Sequence, residues 1–500
     1  MELIDHLVLG FTTALSFQNL GLAFIGCMIG TLVGVLPGLG PIATITMLLP
    51  ITFGIDATGA LIMLAGIYYG AQYGGSITAI LVNIPGEASA VVTTLDGYKM
   101  AQQGRGGIAL GISAIGSFFA GCVATVFIAA LATPLTKLAL LFGPADYFSL
   151  MVMGLVFAII LSGGSLIKAV AMVLLGILLS TIGTDLETGT SRLTFGLTRF
   201  DDGIDFAVLA MGIFGFAEVL RNLDHTEIRN VASQTVGKLL PSRDDFKRSS
   251  GPILRGTLLG SILGILPGNG AVLAPFASYS LEKKIAKNPN RFGKGAIEGV
   301  AGPESANNAG AQTSFIPLLT LGIPPNAVMA VMVGAMTLHG VVPGPQVMDS
   351  NPALFWGIVA SMWLGNLMLL VINLPLVGLW IRLLKVPYRL MVPAILMFSC
   401  IGIYSINSSA SDVIVAAGFA VAGYALSKVG FEPAPLLLGF VLGELLEENL
   451  RRALLLARGD VLVFIERPIS AALLALAALV ICLTFMPALR RSRTEVFQED

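Results

Sequence analysis

Gly30-Thr-Leu-Val-Gly34-Val-Leu-Pro37-Gly38-Leu39-Gly40 has a second copy in the same chain, Gly260-Ser-Ile-Leu-Gly264-Ile-Leu-Pro267-Gly268-Asn269-Gly270. The two copies are identical at six of eleven positions, and four other positions exchange similar side chains. The chain has 500 residues, and each half carries one copy at a matching place. This duplication predicts two halves that share one fold.

Each copy predicts a break in a helix. Pro lacks a backbone N–H and Gly readily adopts left-handed angles, so Pro-Gly-x-Gly interrupts helical hydrogen bonding. Both copies lie in apolar sequence, and lipid cannot satisfy the N–H and C=O groups that a break frees. The alternatives are a packing kink between close helices, which Gly-x-x-x-Gly favours, and a transporter binding site. Duplication of the break in corresponding halves favours the binding site.

The composition places the chain in a membrane. Hydrophobic residues make up 55% of the sequence and charged residues 12%, a balance that predicts an all-α polytopic membrane protein. The net charge of −1 and the absence of a basic domain exclude a nucleic-acid-binding protein. Cys27, Cys122, Cys400 and Cys482 are far apart in apolar runs, so we interpret them as core residues. The N-terminus lacks the basic region of a cleavable signal, and its first apolar segment is expected to stay in the membrane.

Charged residues indicate how the second copy enters the membrane. The apolar segments 252–267 and 271–281 are each too short for a full span and flank Pro267-Gly268-Asn269-Gly270. Both outer flanks are basic: Arg221, Arg229, Lys238, Arg243, Lys247, Arg248 and Arg255 precede the pair, and Lys283, Lys284, Lys287, Arg291 and Lys294 follow it. Basic flanks are cytoplasmic, so we predict a re-entrant hairpin whose tip lies within the membrane.

The first copy has the opposite surroundings. Residues 1–40 contain no Lys or Arg, and the turn after 41–55 carries only Asp56, so this hairpin is predicted to enter from outside. The same motif with opposite flanking charge predicts an inverted-topology repeat. We divide the chain into a first membrane repeat (1–220), a cytoplasmic basic linker (221–251), a second repeat (252–427), and C-terminal membrane segments with a short cytoplasmic tail (428–500). The N-terminus is expected to be periplasmic, and Arg490-Arg491-Ser-Arg493 indicates a cytoplasmic C-terminus.

A second polar run and a second proline break occur in each half. Gly70-Ala71-Gln72-Tyr73-Gly74-Gly75-Ser76-Ile-Thr78 leads through Asn83 to Ile84-Pro85-Gly86. In the other half, Asn307-Asn308-Ala-Gly310-Ala-Gln312-Thr313-Ser314 leads to Gly322-Ile323-Pro324-Pro325. These small, amide- and hydroxyl-rich runs resemble one another more loosely than the first breaks do.

These motifs resemble the large membrane subunit of the bacterial tripartite tricarboxylate transporters, over nearly the whole chain. The most specific matches are Gly30–Pro41, Tyr68–Ser76 with Asn83–Gly86, Pro267–Gly270 and Gly302–Gln312. The resemblance implies a secondary uptake system in the bacterial inner membrane, with a small membrane subunit and a periplasmic solute-binding protein as partners. It also implies coupling to an ion gradient, usually Na⁺, and no other cofactor. Members of the family carry different carboxylates, so citrate is one expectation, and a di- or aromatic carboxylate is the alternative.

We predict that the breaks hold the substrate and the ion. Helix N-termini suit an anion, and the carbonyls freed before each break suit a hard cation. The predicted substrate-binding residues are Gly38, Leu39, Gly40, Ser76, Thr78, Asn83, Gly268, Asn269, Gly270, Asn308, Gln312, Thr313 and Ser314. The predicted ion-binding residues are Pro37, Gly38, Pro85, Gly86, Pro267, Gly268 and Pro324. For the polar side chains, the alternative is interhelical hydrogen bonding.

Acidic residues near the apolar segments allow two interpretations. Glu304 and Glu87 are either intramembrane proton or cation ligands, or loop acids just outside the bilayer. Glu444, Glu447 and Glu448 precede Arg451 and Arg452 at helical spacing and predict a solvated end with salt bridges. No Lys or Arg falls in the centre of a broken segment, so the charge of a multivalent anion would be met by helix ends, neutral donors and co-bound cations.

Three classes of function remain to be compared. A secondary carrier with alternating access, by a rocking or an elevator-like motion, agrees with the repeat. A channel would use the breaks as a filter, but no ring of like charges is visible. An intramembrane enzyme is disfavoured because His6, His225 and His339 are isolated and no nucleophile or metal motif occurs.

Overall fold

The computed structural model describes residues 3–36, 40–83, 85–160, 162, 165–185, 188–224, 237–267, 270–383 and 388–484, and these are mainly helical. The helices of the first half are α1 (Leu3–Ala14), α2 (Phe17–Val35), α3 (Pro41–Leu48), α4 (Ala57–Val82), α5 (Val91–Gln102), α6 (Gly106–Ala139), α7 (Pro144–Ile160), α8 (Leu166–Ser180), α9 (Phe206–Ala210) and α10 (Ala217–Asp224). Those of the second half are α11 (Arg243–Ile265), α12 (Gly270–Ile285), α13 (Glu298–Thr313), α14 (Phe315–Leu321), α15 (Ala327–Leu338), α16 (Val347–Ser350), α17 (Pro352–Asn373), α18 (Val377–Leu383), α19 (Tyr388–Asn407), α20 (Ala410–Lys428), α21 (Pro433–Leu456), α22 (Val463–Glu466) and α23 (Pro468–Thr484). A π-helical segment, Met211–Phe216, joins α9 to α10, and a 3₁₀ segment, Leu49–Gly54, extends α3.

Long apolar helices make this a membrane protein. Within the described ranges, four helices are long and apolar enough to cross a bilayer: Phe17–Val35, Gly106–Ala139, Pro352–Asn373 and Ala410–Lys428. The expected all-α membrane architecture is confirmed at this level.

A short antiparallel ribbon departs from a purely helical architecture. It pairs β1 (Gly183–Thr184) with β2 (Ser191–Arg192) in the connection between α8 and α9. The connection is polar and rich in Gly and Thr, so it favours turns over a helix. Arg192 fixes the ribbon to α21 by donating to Glu447 at 2.8 Å. The ribbon therefore lies at the periphery of the helical body and does not alter its core.

The helices on either side of each Pro-Gly-x-Gly motif contact one another. In the second half, Arg255 in the middle of α11 pairs with Glu282 near the end of α12, with 2.7 Å between Nη2 and Oε2. In the first half, Gln18 at the start of α2 donates to Asp56, which follows the 3₁₀ segment, at 2.9 Å. That each pair is a re-entrant hairpin stays a prediction.

A row of glycines joins each hairpin to a parallel neighbour. A Cβ atom at Gly30 or Gly34 would overlap the carbonyl oxygen of Ile67 or Ala71 on α4. Gly260 and Gly264 have the same relation to the carbonyl oxygens of Ala306 and Gly310 on α13. Glycine allows this close backbone approach, which side chains of any size would prevent. The two motif copies thus make the same packing contact in both halves.

Polar contacts join the halves at two ends of the molecule, in addition to the helix packing at its centre. At the basic end, Arg105 and Asp245 connect the starts of α6 and α11 at 2.5 Å. Burial raises the pKa of Asp245, but hydrogen bonds from Ser242 and the nearby Arg105 outweigh this effect, so its pKa is lowered overall. At the opposite end, His339 after α15 makes a 3.0 Å hydrogen bond with Thr52 before α4.

The central helices are buried on every side. Every residue from Gly59 to Leu81 of α4 is buried, and so are residues 299–313 of α13. Helix α6 of the first half packs on α13, and α17 of the second half packs on α4. Helices α7, α8, α21 and α23 form a group on one side of this centre, while α19 and α20 pack with the α9–α10 segment on another. Two halves that interlock around α4 and α13 set the position of the polar residues described below.

We expect Gly30→Ala to destabilise the protein by about 1–3 kcal/mol, because the added methyl group meets backbone that cannot move aside. Gly21→Ala on the same helix is the matched control, since nothing lies within 4 Å of a Cβ there. Thermal unfolding of the purified protein in detergent measures both variants. Equal unfolding temperatures for the two variants would contradict the packing contact.

Candidate functional site

The second break in each half has the same backbone course. Helix α4 ends at Asn83, whose φ is 61°, and α14 ends at Gly322, whose φ is 73°. Left-handed residues end helices, and Asn and Gly adopt this conformation most readily. A proline follows two residues later in both halves, at Pro85 and Pro324. Each break then opens a new helix toward the protein interior.

Two polar residues start the helices that follow these breaks. Glu87 and Asn326 have extended backbones with φ of −153° and −152°. Asn326 caps α15 because its side chain accepts a hydrogen bond from Met329 N at 3.0 Å. Glu87 makes no such capping bond, which leaves its carboxylate available to other partners.

Around Asn326, two side chains converge, one from α4 and one from the junction of α13 and α14. The Asn326 amide donates to Ser314 Oγ at 3.2 Å, and Ser314 donates to the Gly264 carbonyl at 3.3 Å. Gly264 lies in the last turn of α11, before the Pro267 break. The hydroxyl of Tyr68 lies beside Asn326 and Ser314. This cluster therefore connects the first and second breaks of one half to α4 of the other.

A corresponding cluster surrounds Glu87. Ser89 donates to Glu87 Oε1 at 2.7 Å and to Gln72 Oε1 at 3.2 Å. Asn307 of α13 lies beside the Glu87 carboxylate, and its Nδ2 makes no hydrogen bond of normal distance and angle with the described residues. Asn307 is only 2% exposed, so the protein satisfies this buried amide poorly. Such groups are rare in folded proteins and indicate a ligand or an ordered water.

A third cluster joins the halves at Glu304. This carboxylate is 1% exposed and accepts hydrogen bonds from Ser76 at 2.5 Å and Ser113 at 2.9 Å, and from Thr93. The residue lies within α13, so the structure places it inside the protein and not in a loop. Its three hydroxyl partners all come from the first half of the chain.

The predicted site residues fall into three groups. Pro37, Gly38, Leu39, Gly268 and Asn269 lie outside the described residues. Those close to the three clusters are Ser76, Pro85, Gly86, Asn308, Gln312, Thr313, Ser314 and Pro324. Those at the helix ends beside the first and second breaks are Gly40, Asn83, Pro267 and Gly270. Thr78 lies on α4, where it donates to its own helix at Gly75 O, 2.9 Å away.

Several of these residues have structural roles that the sequence did not reveal. Asn308 donates to Ser117 at 2.6 Å and to the Glu304 carbonyl at 3.1 Å. Asn83 is exposed and ends its helix in the left-handed conformation. Gln312, which is 1% exposed, has an Oε1 atom without a partner in the described part of the chain. Of the three, Gln312 is thus the one with a free polar atom for a ligand.

Sequence reasoning missed Tyr68, Ser89, Thr93, Ser113 and Asn326 as members of the site. Asn326 had a readable signal, because it follows Pro324 as Glu87 follows Pro85, by two residues. Ser89 lies two residues after its partner Glu87, and Tyr68 opens the Tyr68–Ser76 run, so both also had a local signal. Thr93 and Ser113 had none, since their partner Glu304 lies far away in the sequence. The salt bridges predicted after Glu444 are confirmed: Glu447 pairs with Arg451 at 2.6 Å, and Glu448 pairs with Arg452.

The chemistry of the clusters suits an oxygen-rich anion more than a transition metal. Neutral amides and hydroxyls outnumber the two carboxylates, Glu87 and Glu304, and such groups can donate to carboxylate oxygens. Among the residues that the structure describes, no three His, Cys, Asp or Glu side chains form a metal-binding group.

The fold and these clusters define a polytopic α-helical membrane protein whose interrupted helices meet at a buried polar centre. Residues 20–438 match the family described as "Tripartite tricarboxylate transporter TctA family". The chain belongs to this family, which is a family of transporters and not of enzymes, and whose name implies further subunits.

Two relatives from Agrobacterium vitis are similar to the chain. One, described as an uncharacterized 52.8 kDa protein in the TAR-I ttuC' 3' region, is 57% identical over 502 residues, covering 100% of both chains. The other, described as an uncharacterized protein in the TAR-II ttuC' 3' region, is 61% identical over 241 residues, 48% of this chain and 100% of its own length. No solved structure matches the chain.

We expect Asn326→Ala to destabilise the protein by about 1 kcal/mol, because it removes the cap of α15, and Asn326→Ser to recover most of this loss. Asn351 is the control: it occupies the same position before α17 but makes no capping bond, so Asn351→Ala should have little effect. Thermal unfolding measures all three variants. An Asn326→Ser protein as unstable as Asn326→Ala would contradict the capping role.

Proposed function

We propose that this protein is the large membrane component of an ion-coupled secondary carrier that takes up a small carboxylate by alternating access. A tricarboxylate such as citrate is the first candidate, and Na⁺ is the proposed coupling ion. One observation supports the proposal: both second breaks lie beside buried amides and hydroxyls that come from both halves of the chain. Paired interrupted helices at mid-depth are typical of transporter binding sites.

We infer that the halves form an inverted-topology repeat. Helix α4 begins near Thr52, which contacts His339 at the opposite end, whereas α13 begins near Arg248 and Glu298 at the basic end. The two glycine-packed central helices therefore run in opposite directions. In such a repeat, two similar halves can exchange conformations, which opens one site alternately to either side.

The polar centre provides neutral donors for carboxylate oxygens. Asn307 and Asn326 have amide N–H groups there, and Tyr68 and Ser89 have hydroxyls. Neutral donors and helix ends compensate a multivalent anion incompletely, and the Glu87 carboxylate lies in the same centre, so a co-bound cation would lower the cost of burying the charge. This supports coupling to a cation.

The proposed partners follow from the family. A periplasmic solute-binding protein would deliver the carboxylate to the opposite end of the molecule, and a small membrane subunit would accompany the chain in the inner membrane. The basic end, with Arg105, Arg248 and Arg291, would then face the cytoplasm. A carrier for di- or aromatic carboxylates has the same requirements, and the clusters favour none of these substrates over another.

Uptake by proteoliposomes that contain this chain and its small subunit tests the proposal. Uptake is measured with and without the solute-binding protein. Radiolabelled citrate should accumulate only when the binding protein and an inward Na⁺ gradient are both present. Saturable uptake that accelerates when the vesicles are preloaded with citrate identifies a carrier. Uptake that is unsaturable and independent of the binding protein would identify an anion channel and contradict the proposal.

Asn307→Leu should reduce this uptake at least tenfold without lowering the unfolding temperature. The buried Nδ2 makes no hydrogen bond of normal geometry with the described residues, so an apolar side chain of similar size costs the fold little. Asn449→Leu is the matched control, since within the described ranges the Asn449 side chain donates to Leu445 O of its own helix, at 2.8 Å. Normal uptake by Asn307→Leu would contradict its place in the binding site.

A further inference from the structure

The negative charges of the buried carboxylates are compensated by different partners. Four pair with arginine: Asp146 with Arg467, Asp412 with Arg199, Glu282 with Arg255 and Asp245 with Arg105. Asp96 accepts hydrogen bonds from two backbone N–H groups, Gly295 and Ala296, both at 2.7 Å. Glu304 has only hydroxyl partners and no cationic side chain among the described residues. Its hydrogen bonds are satisfied, but its charge is not.

A small cavity lies against two of the hydroxyls that donate to this carboxylate. Its volume is about 10 Å³, and it is lined by Tyr73, Ser76, Ser113 and Asn373 among others. Ser76 and Ser113 are the hydroxyls that bind Glu304 Oε2. This volume is close to the minimum that holds one water-sized particle, so the space suits a single small ion and excludes an organic substrate.

Two further oxygen atoms in the cavity wall have no partner. Asn373 is 4% exposed, and its Nδ2 donates to Leu369 O at 2.8 Å, while its Oδ1 accepts nothing from the described residues. Tyr73 is also 4% exposed, and its hydroxyl makes no hydrogen bond within the same residues. Protonation of Glu304 would neutralise the carboxylate but would leave both of these oxygens unsatisfied. A bound cation would satisfy the charge and the oxygens together.

We propose that Ser76, Ser113, Tyr73 and Asn373 hold one monovalent metal cation, with Na⁺ as the candidate, and that Glu304, which accepts hydrogen bonds from both serines, balances its charge. The ligands are all oxygens, which hard cations prefer. One carboxylate matches one positive charge, whereas a divalent ion would leave a net charge buried. This site is separate from the helix breaks where the sequence places the ion, and lies less than two turns into α13 from Glu298 at the basic end. As the coupling site, it rests on the proposed function.

Thermal unfolding of the purified full-length protein in detergent, titrated with NaCl against choline chloride at constant ionic strength and pH, tests the site directly. The wild-type unfolding temperature should rise with Na⁺ and saturate. Glu304→Gln should lose this rise, and Asn373→Ala should raise the apparent Na⁺ dissociation constant by about tenfold or more.

Asn366→Ala is the matched control for Asn373→Ala. Asn366 lies on the same helix, its Nδ2 donates to Met362 O at 2.8 Å, and its Oδ1 also lacks a partner in the described chain. It faces Gly121 and does not line the cavity. Asn366→Ala should therefore keep the wild-type Na⁺ response. An unchanged response in Glu304→Gln or Asn373→Ala would overturn the site, as would a stabilisation by protons alone that Glu304→Gln abolishes.

The same variants in the uptake assay separate this inference from the proposed function. Uptake that stays Na⁺-dependent in Glu304→Gln would overturn the coupling role while the carrier function stands. The opposite outcome is also informative. If Glu304→Gln removes the Na⁺ response but the protein transports no carboxylate with any binding protein, the carrier function is overturned and the cation site is supported.

Discussion

Backbone groups that leave a helix inside an apolar protein must find partners, and this requirement governs the whole molecule. The breaks near Pro85 and Pro324 are possible because α4 and α13, which lead into them, are buried by protein on every side. Glycines allow the neighbouring helices close enough to do this, and Ser314 satisfies the Gly264 carbonyl directly. Close glycine packing and helix breaks therefore act together. The packing encloses the breaks in protein, and the breaks place polar backbone groups inside that enclosure.

The two halves share their backbone but differ in side chains, and the differences suggest a division of tasks. Asn326 caps its helix, whereas Glu87 at the corresponding place does not. In the second half, Glu304 accepts hydrogen bonds from hydroxyls of the first half, whereas Asp96 of the first half accepts one from Tyr279 together with two backbone N–H bonds. We propose that these differences provide separate places for an anion and a cation. In this account, the anion occupies the break clusters and the cation the cavity beside Glu304.

Much of the fold followed from the sequence because it depends on local signals. Pro-Gly-x-Gly and the basic flanks predicted doubled-back helices, and the Arg255–Glu282 and Gln18–Asp56 contacts agree with them. The site followed only in part. Ser76 and Ser314 lay in recognisable polar runs, but the bond from Ser76 to Glu304 joins residues far apart in the chain, and no periodicity encodes it. Glu304 itself was ambiguous, because a short sequence context cannot distinguish a buried acid from one in a loop.

We propose that the two hairpins enter the membrane from opposite faces. To test this, Gly54→Cys and Lys287→Cys are introduced one at a time after the four native cysteines are replaced, and intact cells are labelled with a membrane-impermeant maleimide. Both positions are exposed and lie just outside the first and the second hairpin. Labelling of position 54 in intact cells, and of position 287 only after permeabilisation, is the predicted result. Labelling of both positions from the same side would contradict the inverted repeat and the account built on it.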